Sequence, residues 1–132
     1  MDLASIGLLV LRVGAGLTLA LKHGWGKVSG FAELVDKFPD PLGVGRTWSL
    51  GLAGFAEFAC ALFLVVGFAT RLAAIPIIVT MLVAFFIIHG ADPFSKKELA
   101  LMYLLAAGTL LFTGAGSLSI DRLIRRKRRW PF

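Results

Sequence analysis

Four apolar stretches divide the chain, at about residues 3–21, 48–68, 72–89 and 99–115, separated by segments rich in charge, glycine and proline. About 20 helical residues at 1.5 Å rise cross the ~30 Å hydrocarbon core of a bilayer, so these runs have the length of membrane spans. The expected fold class is all-α and integral to a membrane: a four-transmembrane-helix bundle, with one domain accounting for residues 1–132. In the first loop, Phe31, Leu34, Val35 and Phe38 recur at i, i+3, i+4 and i+7, with Glu33, Asp36 and Lys37 opposite. That pattern predicts a short amphipathic helix, ended by Pro39-Asp40-Pro41 and read either as an interfacial connector or as a lid over an outward-facing cavity. Pro76 falls in the first turns of the third span, where its missing N–H is tolerated. Ser95 and Glu98 read as a capping box opening the fourth.

Polar residues interrupt the apolar runs with helical spacing. Arg12, Gly16, Ala20, His23 and Lys27 follow steps of three or four, as do Gly51, Gly54, Glu57 and Ala61, and then Ala100, Tyr103 and Ala107. Small residues let helices approach closely in lipid, so these faces are expected to point inward. Arg12 and Glu57 each sit near the middle of an apolar run, where an unpaired charge costs about 2.5–3.5 kcal/mol. Antiparallel packing of the first two spans predicts that they meet. Such a pair either fixes helix register or forms the base of a polar site. His23 and His89 are expected at one outer level, which makes Arg12, His23, Lys27, Glu57, His89 and Tyr103 a candidate polar column. His23 and Lys27 also suit simple snorkelling beside Trp25. Two histidines without carboxylate support disfavour haem and give no metal site.

Composition agrees with the membrane reading: 58% of residues are apolar and the mean hydropathy is +0.83, above the range of soluble domains. The net charge of +6 is concentrated in the segment 122–132 and its Arg125, Arg126, Lys127, Arg128 and Arg129. A basic cluster beside an apolar run points to anionic lipid headgroups and to the cytoplasmic side rather than to nucleic acid. With an even number of spans, both termini are expected in the cytoplasm. Met1-Asp2 lacks a basic n-region, so the first run is expected to be retained and not cleaved as a leader. Cys60 is single and reads as a small packing residue.

His23-Gly24-Trp25-Gly26-Lys27 after an Arg-containing span resembles the HGxxK segment of the DoxX family. Glu57 with Gly67 and Thr70-Arg71-Leu72-Ala73-Ala74 is similar to that family's second helix and turn. Glu98-Leu99-Ala100-Leu101-Met102-Tyr103 and Gly114-Ala115-Gly116-Ser117-Leu118-Ser119-Ile120-Asp121 resemble its fourth helix and C-terminal segment. The resemblance implies a multi-pass protein of the bacterial inner membrane with a redox association: a quinone-linked or small-molecule-binding subunit with an oxidoreductase partner. Catalytic residues are not specified by it. The alternative is a non-enzymatic membrane adaptor or small-solute carrier whose intramembrane charges only specify helix packing.

Overall fold

The computed structural model describes residues 2–127 and, among them, only helices and their connections. In chain order these are α1 (Leu3–Ser29), α2 (Phe31–Leu34), α3 (Arg46–Val66), α4 (Thr70–Ile88), α5 (Phe94–Thr113) and α6 (Ile120–Lys127). The Asp2 carboxylate caps α1 by accepting the Ser5 N–H at 3.0 Å, the usual role of an acidic N-cap. α3 ends at Gly67, whose φ of 71° permits the left-handed stop; Phe68 N–H bonds the Phe63 carbonyl and Gly67 N–H that of Leu64. α4 runs through Pro76 without a break.

Two boundaries depart from the sequence expectation. The first span does not stop near residue 21 but continues through His23 and Lys27 to Ser29, because nothing from Lys22 to Ser29 forbids helix; Gly30 ends it. The loop is correspondingly shorter, and its amphipathic segment is a single helical turn followed by residues in turn conformation. Phe31, Val35 and Phe38 are half-buried in it, while Glu33, Asp36 and Lys37 are exposed. The second departure is at α5, which opens at Pro93 rather than Ser95. The proline's fixed φ of −63° already suits a helix entry, so the predicted capping box does not form.

α3 packs on α1 and α4, and α5 packs on α4 and closes the ring against α1. Three of these helices, α1, α3 and α4, are long and apolar enough to cross a membrane. α5 carries Lys96-Lys97-Glu98 in its first turns, which leaves an apolar run from Leu99 to Thr113 of about 22 Å. The interior is built from small side chains: Ala20, Ala56, Ala61 and Ala74 are all completely buried. The large apolar side chains face outward instead, with Val10, Trp48, Phe86 and Phe112 all more than half exposed. An exterior of that kind is suited to lipid and not to water.

The α1–α3 register is set by close backbone approach. A Cβ on Gly16 would fall 2.8 Å from the Ala61 carbonyl oxygen, and one on Gly24 would fall 2.6 Å from the Phe58 nitrogen. Gly16, Ala20 and Gly24 thus form a small-residue seam at i, i+4 and i+8. The seam places Arg12 opposite the last turn of α3 and Glu57 opposite the far half of α1.

Candidate functional site: a cavity beneath the first loop

Arg12 and Glu57 do not meet. The register separates their levels by about twelve residues of helix, or about 18 Å. Arg12 is completely buried, and its Nη1 donates to the carbonyls of Leu64 and Val65 at 3.2 and 3.3 Å. Its Nη2 donates to the Leu118 carbonyl at 2.7 Å. The guanidinium therefore caps the C-terminus of α3, where the helix dipole favours a cation. Asp121 is the carboxylate whose charge favours the Arg12 cation, and it accepts the N–H groups of Ala69 and Thr70 at 2.7 and 3.0 Å, at the start of α4. Arg12 and Asp121 together bind up the α3–α4 turn. This removes Arg12 from the predicted polar column and gives it the packing role instead.

The other five residues of that column, His23, Lys27, Glu57, His89 and Tyr103, line a single cavity of about 420 Å³ at the opposite end of the bundle. That volume is within the range of small-molecule sites, and the walls are mostly apolar, among them Leu19, Met81, Val83 and Leu99. Lys27 Nζ lies 2.8 Å from Glu57 Oε2, so the glutamate's partner is on the far half of its neighbouring helix. His23 and Tyr103 pack edge to face with ring centroids 5.7 Å apart. His23 Nε2 and the Tyr103 hydroxyl are both buried without a hydrogen-bond partner among the described residues. At the rim, His89 Nδ1 and Asp92 Oδ2 are 2.8 Å apart, and this bond holds the Asp92 carboxyl below the ordinary carboxylate range.

Three helices widen into π turns around this space: Leu19–Gly24 in α1, Phe55–Cys60 in α3 and Ala84–Ile88 in α4. The Trp25 N–H reaches back to the Ala20 carbonyl, and the His89 N–H to that of Ala84 at 2.9 Å. Each inserts an extra residue per turn and re-aims the side chains around it, an arrangement found frequently at functional sites. Leu19, His23, Glu57, Ala84 and Ile88, all in π turns, line the cavity. No sequence signal marks these turns, since nothing in their residues distinguishes a π turn from ordinary helix.

The first loop supplies the roof. Phe38, Pro39, Pro41, Leu42 and Val44 line the cavity from above. Asp40 holds that roof together: one carboxylate oxygen accepts from Val44 N–H at 3.0 Å and Ser49 Oγ at 2.8 Å, the other from Gly45 N–H at 2.9 Å. The Ser49 hydroxyl, then the Gly45 amide, hold the Asp40 carboxyl below its usual pKa. Sequence reasoning missed Asp40 as an organiser, Lys96 as a lining residue and Asp121 as the counter-charge of Arg12. Asp40 between two prolines was the one available signal.

The family model described as DoxX matches residues 7–90 of this chain. The inner membrane protein YqjF of Escherichia coli (strain K12) is 32% identical over 131 residues, covering 95% of this chain and 97% of the relative. A protein of Haemophilus influenzae described as uncharacterized is 28% identical over 109 residues, covering 77% of this chain and 71% of the relative. No solved structure matches the chain significantly.

Proposed function

The chain belongs to the DoxX family, and from that premise we propose that it is a four-span protein of the bacterial inner membrane whose cavity binds a quinone-like molecule within a redox system. α5 completes the count of spans, its charged first turn standing in the headgroup region and its apolar run packed on α4 and α1. Both termini are cytoplasmic in this reading, so the roofed cavity opens toward the outer leaflet.

The observation that carries the reading is the pair of buried, partnerless polar atoms, His23 Nε2 and Tyr103 Oη, on the wall of one apolar cavity. Leaving such groups unbonded costs about 1–3 kcal/mol each. A ring bearing two oxygens answers both: the tyrosine hydroxyl donates to one, and the imidazole bonds the other in the tautomer that the ligand selects. The Lys27–Glu57 pair adds a charged donor and acceptor on the same wall. Nothing in the side-chain set stores electrons, so turnover requires a reductant or an oxidoreductase partner subunit.

Protein purified in mild detergent is to be extracted with organic solvent and the extract analysed by absorbance and mass spectrometry, followed by titration with a short-chain quinone. Retained or rebinding quinone is the expected result. Protein that is free of ligand and binds no quinone would favour the adaptor or carrier, for which the packing role of Arg12 is the supporting observation.

A further inference from the structure

We propose that the end of the bundle carrying Arg12 holds a second site, a cleft that binds the phosphate group of an anionic lipid through Arg122, Arg125 and Ser117. The cleft encloses about 480 Å³ between the start of α1, the end of α5 and α6, and is lined by Ser5, Thr113, Ser117, Arg122 and Arg125. Arg122 and Arg125 stand at i and i+3 on one face of α6, exposed and without a carboxylate partner among the described residues. The Ser117 hydroxyl is buried and bonds nothing among those residues, while its own N–H is held by Ser5 Oγ at 3.0 Å. Two guanidinium groups and a free hydroxyl are the donor set that a phosphate oxyanion takes. Asp2 also lines the cleft, but its carboxylate is engaged by the Ser5 hydroxyl and then the Ser5 N–H, which hold its pKa down and its charge on α1. An anion therefore enters from the arginine side.

The opposite face of α6 says where that phosphate comes from. Leu123 is 60% exposed and Ile120 38%, beside a helix anchored into the bundle by the buried Asp121. A short helix with apolar residues on one face and arginines on the other lies in the headgroup layer. The cleft is then level with lipid phosphates, and the shared chemistry with any free phosphate ester is the oxyanion itself.

The test uses the full chain in detergent, with native mass spectrometry in the presence of phosphatidylglycerol. Wild type should retain one phosphatidylglycerol in preference to phosphatidylcholine. The double variant Arg122→Gln/Arg125→Gln should lower that retention about tenfold, and Ser117→Ala severalfold, with melting unchanged. Arg126→Gln/Lys127→Gln, which removes the same charge outside the cleft, should change it by less than twofold. Competition by millimolar inorganic phosphate would keep the oxyanion site and assign its natural ligand to the cytosol; no competition assigns it to the lipid. Equal losses in the two double variants, or no loss in either, would overturn the site and leave only diffuse surface attraction.

Discussion

Removing the Arg12 guanidinium leaves the carbonyls of Leu64, Val65 and Leu118 without that donor at a completely buried position. Arg12→Met should therefore destabilise the protein by about 3–5 kcal/mol in denaturant unfolding, since each hydrogen bond lost from a charged group counts for about 1.5–3 kcal/mol. Arg12 and Glu57 act at different ends, so their double-mutant cycle should be additive within about 0.5 kcal/mol. Lys27→Met with Glu57→Leu should instead couple by about 0.5–3 kcal/mol. Coupling between Arg12 and Glu57 would contradict the register read from Gly16 and Gly24. At this scale the sequence disclosed which residues turn inward, because steps of three and four are visible in it. It did not disclose which inward residues share a level. That depends on the offset between two antiparallel helices, set by backbone contacts at Gly24 that no single-helix pattern contains.

Gly24 is where the helix seam and the cavity meet, as it lies in the π turn of α1 and against the backbone of Glu57 and Phe58. Gly24→Val should force α1 and α3 apart, cost about 1–3 kcal/mol of stability and displace His23 from Tyr103. The roof should respond to acid. Asp40 has a lowered pKa in the folded protein, so the order it gives is complete above the ordinary carboxylate value of about 4 and is lost as pH falls through the lowered one. Hydrogen exchange at Val44 and Gly45, corrected for intrinsic rates, should lose protection only in that acid range. Asp40→Asn should lack much of the protection at every pH, and a wild-type roof indifferent to acid would contradict this role for the carboxylate. The helices themselves were legible because apolar runs of span length have few alternatives. The end of α1 was not, because Lys22-His23-Gly24 looks like an interface but contains no residue that stops a helix. The π turns were invisible for a related reason: their hydrogen-bond shift arises from packing around a space, not from local propensity.

The whole molecule is polarised, with an arginine-held turn and the cleft at one end and a roofed, mostly apolar cavity at the other. A reporter joined after the last residue should be active only in the cytoplasm, and one inserted near Asp40 only outside; the reverse pattern would invert the proposed access to the cavity. The central claim is that the cavity takes a ligand through the two partnerless atoms on its wall. Its most direct test is calorimetric titration of a short-chain quinone into wild type, His23→Ala and Tyr103→Phe, with melting temperatures measured in parallel. Wild type should bind saturably, and each variant should bind about tenfold more weakly while melting nearly as before. Identical titration curves for all three proteins would contradict the account, as would a wild type that binds nothing.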